Sequence, residues 1–246
     1  MPILTHSDLL IDADAVLRGQ GANPDIIRAR RPVLVSVAEE AIAEGRALLK
    51  PEVAYSRVAV IDKTPEQITL AGGGTLTGKI VARRLRKATE VVVAVCTVGE
   101  PIAVHASAVI KDDLVRGLAL DGVGSAAVEA LSNWFCAFIE AESENASLQT
   151  TVPLNPGMIG WPLEVGQSEI FGLLDEPASK VTLSDAIIML PRKSLSLVIG
   201  VGASVRSVGT VCDTCAMNKR CKYKPPEAMR SPRSALGERD VENALP

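Results

Sequence analysis

A chain of 246 residues with 47% apolar side chains is long enough to bury a core, as one large domain or two small ones. A net charge of -3, with 22% charged residues spread along the chain, leaves no basic footprint for nucleic acid. With 3% aromatic residues there is also no stacking platform for single-stranded bases, and the core must be built from Ala, Val, Leu and Ile.

The first residues carry no basic stretch leading into an apolar one, so they do not read as a secretory signal, and a cytoplasmic chain is expected. The longest apolar runs, 91–98 and 195–205, fall short of the ~20 residues a membrane helix needs. Residues 7–18 read as a short helix with Ser7 as N-cap and Gly19 as stop; Asn23-Pro24-Asp25 opens a second and Pro32 a third, which ends before Pro51. The β-branched segments 53–61 and 67–71 read as strands joined by a polar turn; 77–86 reads as a helix and 91–96 as a buried strand.

From 111 to 142 an apolar face containing Leu118, Leu131, Trp134 and Phe135 predicts the longest helix. Gly117, Gly122 and Gly124 each weaken that helix by ~1 kcal/mol against Ala, which predicts that something approaches closely there. Between Arg116 and Glu140 the charges are Asp121 and Glu129, roughly 80° apart around the axis. A polar linker (143–148), a Pro-Gly loop, a helix over 163–174 and strands near 186–190 and 195–205 follow. Short strands combined with a long apolar helix face predict an α+β fold, with the 91–96 and 195–205 strands in one mixed or antiparallel sheet covered by long helices. One domain over 1–225 and a loosely ordered polar tail over 226–246 are expected.

Three motifs carry chemistry. Gly73-Gly74-Thr75-Leu76-Thr77-Gly78-Lys79-Ile80 nearly fits a phosphate-binding loop, but Ile80 supplies no hydroxyl for magnesium, so a glycine-rich hairpin is the better reading. Cys212, Cys215 and Cys221 have the spacing for zinc or an iron-sulfur cluster with one ligand missing, which Cys96 or Cys136 could supply. A redox thiol pair and an inert cysteine turn are the alternatives, with Lys219, Arg220, Lys222 and Lys224 available to lower thiol pKa values. Asn155-Pro156-Gly157-Met158-Ile159-Gly160-Trp161-Pro162 places a flexible glycine between a ring-locked proline and a large aromatic edge, a loop suited to a shaped ligand. No Ser-His-Asp, Cys-His or paired-carboxylate set stands out, and His6 and His105 are too separated for a histidine metal site.

The Pro-Gly-x-x-x-Trp-Pro loop, Leu190-Pro191-Arg192-Lys193-Ser194, the 91–99 segment, the helix bearing Leu120-Asp121-Gly122 and Glu129, and the cysteine-rich tail occur in an order that resembles the activation (reactivation) domain of cobalamin-dependent methionine synthase, as a free-standing protein. The resemblance implies a cleft framed by Glu129, Pro156, Gly157, Met158, Trp161 and Arg192 that takes S-adenosylmethionine. It further implies docking on a corrinoid protein or cobalamin-dependent methyltransferase whose cobalt needs reductive reactivation. The family's carboxylate-anchoring arginine and its tyrosine are here Pro153 and Met158, so S-adenosylmethionine is expected to bind weakly or not at all. Arg192 and Lys193 are the nearest substitutes for the anchor. A non-catalytic corrinoid or small-molecule binding protein, and an S-adenosylmethionine-dependent methyltransferase component, are the alternative functions.

Overall fold

The computed structural model describes residues 2–174, 180–207, 209–215, 218, 219 and 221. The expected tail over 226–246, and the cations Arg220, Lys222 and Lys224, lie outside the described residues.

The sheet is built outward from β5 (Glu90–Thr97), which pairs antiparallel with β2 (Glu52–Lys63) on one side and β9 (Ser194–Gly202) on the other. Beyond β2 lie β3 (Gln67–Leu70) and β4 (Thr75–Thr77); beyond β9 lies the short β6 (Gln149–Thr150). The N-terminal β1 (Ile3–Leu4) adds to β2, and β7 (Thr182–Leu183) and β8 (Met189–Leu190) pair with each other in a separate two-stranded sheet. The β3–β4 pairing makes the glycine-rich segment a hairpin, as the sequence implies.

Alternate residues of β5 enter two cores, which is why it reads as an unbroken apolar run rather than an alternating one. Val92, Ala94 and Cys96, with Leu197, Ile199 and Val201 of β9, pack under α6 (Leu114–Asn145) and the N-terminal helices. Val91, Val93 and Val95, with Val198, pack under α4 (Lys79–Leu85), α7 (Leu163–Leu173) and the Pro-Gly loop. The 91–96 and 195–205 strands therefore share one sheet, with α6 on one face, as expected.

The N-terminal layer departs from the sequence reading at its start. The first helix, α1 (Ala13–Gly19), is capped by Asp12 rather than Ser7, its carboxylate accepting from Ala15 N at 2.7 Å. Residues 8–12 are not helical: Leu9 and Ile11 are buried between exposed neighbours, the period of an extended chain. Then α2 (Pro24–Arg30) starts at its Asn23 cap, and α3 (Val33–Gly45) follows Pro32. A helix absent from the sequence reading, α5 (Pro101–Val109), opens on Pro101 after Gly99. The last described helix, α8 (Val211–Thr214), is capped by Thr210.

The long helix runs three residues later than expected at each end. Asp113 accepts from Arg116 N at 3.0 Å and fixes its start, while Ser143 is buried with its hydroxyl on Ile139 O and carries the helix to Asn145, into the first half of the expected linker. Its glycines mark close approaches: a Cβ at Gly122 would lie 2.8 Å from the Val16 carbonyl of α1, and one at Gly124 would lie 3.0 Å from the Lys193 stem. By length and composition α6 could span a membrane, contrary to the count of apolar runs, but 72% of its most apolar window is buried within the chain.

Candidate functional site

The Pro-Gly loop leaves the sheet edge. Leu154 bridges to Val198, and the Asn155 side-chain amide donates to the Ser196 carbonyl at 2.9 Å, fixing the loop beside the first residues of β9. Gly157 and Gly160 adopt φ of +88° and +76°, conformations that disfavour a side chain. Gly157 N donates to the Trp161 carbonyl at 2.9 Å and closes the turn. Trp161 does not present an edge to solvent: it is 0% exposed, and its indole Nε1 donates to Glu169 Oε2 at 2.9 Å. The other Glu169 oxygen accepts from the Thr77 amide and hydroxyl, at 3.0 and 2.6 Å. Met158 is buried in the same core, so the surface of the loop is made by Gly157, Ile159 and Gly160, with Pro156 half-buried against Gly166.

Glu129 lies on the other face of the sheet, on α6. Its side chain is open to water on one side, yet enough protein surrounds the carboxyl that loss of solvation lifts it above the ordinary carboxylate range, with the Arg18 guanidinium pulling the other way. The arginine that tempers it comes from α1, not from the core.

Lys193, just ahead of β9, is held against Gly124 and Ser125 of α6, and Gln149, just past the end of α6, pairs with Gly202 at the end of β9. Helix and strand therefore run side by side in the same direction. Glu129 is one turn beyond Ser125, about 6 Å along the axis, which brings it level with the start of β9 where Asn155 is anchored. Glu129 and the Pro-Gly loop thus stand at one level on opposite faces, and a ligand meeting both would wrap the β9 edge. No hydrogen bond or ion pair joins them among the described residues.

The two candidate cations of the 190–194 turn separate. Lys193 is 13% exposed; its Nζ lies 2.8 Å from Asp121 Oδ1 and donates to Ser125 Oγ at 2.9 Å. Arg192 points the other way and lines a half-open cavity of about 620 Å³ with residues of α5, Lys111 and Lys180. Nothing in the sequence signalled Lys111 and Lys180, because they reach Arg192 from elements about 80 residues before it and 12 before it, with no shared motif.

Cys212, Cys215 and Cys221 are half-buried and not in disulfides, and no group of three or more His, Cys, Asp or Glu is placed to hold a metal among the described residues. The expected zinc or iron-sulfur site therefore has no support in this arrangement. Nor do the other cysteines help: burial pushes the Cys96 thiol well up and the Cys136 thiol up to about 12, against the thiolate form that a metal requires. Both histidines are structural: His105 Nε2 lies 2.6 Å from Glu44 Oε1, and the His6 ring stacks on Trp134.

An antiparallel sheet with a 32-residue helix on one face, and a glycine-turned loop at the β9 edge on the other, defines an α+β protein of the methionine synthase reactivation-domain fold. The chain is similar to a solved structure described as the MetH reactivation domain bound to AdoHcy, with a TM-score of 0.63 and 14% identity, over 99% of this chain and 88% of that one. No protein-family model and no curated sequence matches it.

Proposed function

We propose that this chain is an accessory protein that docks on a corrinoid protein or cobalamin-dependent methyltransferase and supports reductive reactivation of its cobalt. The observation that carries this reading is the fold likeness to a reactivation domain across 99% of the chain. The neighbour's bound AdoHcy supports an S-adenosyl compound as the ligand class, received by Glu129 and the Pro156–Gly157 turn around the β9 edge.

Binding of that ligand by the isolated chain is weak in this proposal. Pro153 stands where the family has its anchoring arginine, Lys193 is already paired with Asp121, and Arg192 is turned toward α5. The ligand carboxylate then lacks a waiting cation, a loss of ~1.5–3 kcal/mol for a charge-assisted contact. Calorimetry with S-adenosylmethionine tests this: micromolar binding that is lost in Glu129→Gln would overturn weak binding while keeping the site. Cys212, Cys215 and Cys221 stay outside the proposal, and metal analysis of the purified chain tests the spacing-based reading separately.

The companion role is tested with a purified cobalamin protein in its cobalt(II) form, an S-adenosyl methyl donor and a chemical reductant. The chain should form a complex and speed the return of the methyl-cobalt spectrum. A non-catalytic binding protein, the second reading, would form the complex without changing the rate.

A further inference from the structure

The cavity between α5 and the 190–192 turn belongs to neither the Pro-Gly loop nor Glu129. Its volume of about 620 Å³ lies in the range of small-molecule sites, which are apolar with a few converging polar groups. The walls fit that description: Val104, Leu190 and Pro191 supply apolar surface, and Val104 and Leu190 remain largely exposed.

The charge is one-sided. Lys111, Lys180 and Arg192 line the cavity against the single carboxylate Glu100, three positive charges to one negative, in a chain whose net charge is -3. Glu52 neutralises Lys180 in an ion pair, which leaves a surplus of one cation. Lys111 and Arg192 make no ion pair among the described residues. Two long cationic side chains at the rim of an apolar hollow, without a protein partner, suit a ligand that carries its own anion.

We propose that this cavity binds a small organic anion: an apolar body seated against Val104 and Leu190, with one carboxylate, sulfonate or phosphate group held by Arg192 and Lys111. The site is independent of the corrinoid reading and stands or falls without it. Arg192 then serves a ligand, as its sequence context suggested, but in a different hollow from the Pro-Gly loop.

The probe is 8-anilinonaphthalene-1-sulfonate, titrated into the full chain and followed by fluorescence, with the neutral N-phenyl-1-naphthylamine as control. Saturable binding of one sulfonate probe per chain is expected, weakened about tenfold or more in Lys111→Gln/Arg192→Gln, with the neutral probe unaffected. Because Arg192 is exposed, Arg192→Glu alone provides a second variant that keeps the core intact, and it should lose most of the sulfonate affinity. Equal affinity of the parent and both variants, or no saturable binding, overturns the proposal.

Discussion

Lys193 and Asp121 meet at 2.8 Å across the gap between the 190–194 turn and α6, with the lysine stem lying over Gly124. The pair ties the start of β9 to the helix that carries Glu129. If it withholds Lys193 from a ligand, Asp121→Asn should release it. We expect S-adenosylmethionine to bind Asp121→Asn about tenfold more tightly than the parent chain, measured by calorimetry. Unchanged binding would mean that Lys193 does not reach the ligand.

The two close approaches on α6 should respond differently to a methyl group. Replacing glycine by alanine in a helix gains up to ~1 kcal/mol of propensity. At Gly122 the new Cβ meets the Val16 backbone carbonyl at 2.8 Å, which cannot yield without moving α1; at Gly124 it meets the flexible Lys193 stem at 3.0–3.1 Å. Gly122→Ala should therefore cost about 1–3 kcal/mol in urea denaturation, and Gly124→Ala should fall within about 1 kcal/mol of the parent. The reverse ranking would contradict the packing described.

Much of this was readable in the chain. The β-branched run at 91–96 announced a buried central strand, and glycines in a long apolar helix announced close contacts that α1 and Lys193 make. Three things were not. Residues 8–12 read as the first turn of a helix but are extended, since the consecutive apolar run Leu9-Leu10-Ile11 fits either period. Trp161 read as a ligand edge because the partner of its indole, Glu169, is supplied by the fold of the following helix. Arg192 and Lys193 are adjacent in sequence, yet one faces α5 and the other α6, a choice set by the turn and by Asp121.

Acid and base should act on Glu129 and Glu44 with opposite sign. Loss of solvation lifts the Glu129 carboxyl, so the folded chain holds a proton that the unfolded chain has released, and this contribution to stability falls as pH rises from the ordinary carboxylate range to the raised value. Glu44 is held low, first by its hydrogen bond with His105 and then by Arg116, so its contribution is full above the ordinary range and is lost as pH falls through the lowered value. In denaturation between about pH 3.5 and 8, Glu129→Gln should exceed the parent in stability at neutral pH and converge with it near pH 4. Glu44→Gln should be less stable than the parent at neutral pH. Two parallel profiles would remove the assigned shifts.

Trp161 anchors the Pro-Gly loop from inside. Trp161→Phe keeps most of the packing but takes the donor from Glu169, whose other oxygen still holds Thr77. We expect a loss of about 1–3 kcal/mol in stability, read from the midpoint of urea unfolding. A change below about 0.5 kcal/mol would show that the indole bond does not hold the loop.

The central claim is companionship to a corrinoid, and mixing tests it most directly. A purified cobalamin-dependent methyltransferase, poised with cobalt(II), is combined with reductant and S-adenosylmethionine, with and without this chain, while cobalt absorbance and complex formation are followed together. The account expects a stable complex and faster appearance of methyl-cobalt when the chain is present, the rate falling in Glu129→Gln. No complex at tens of micromolar, with identical spectra over time, would contradict it.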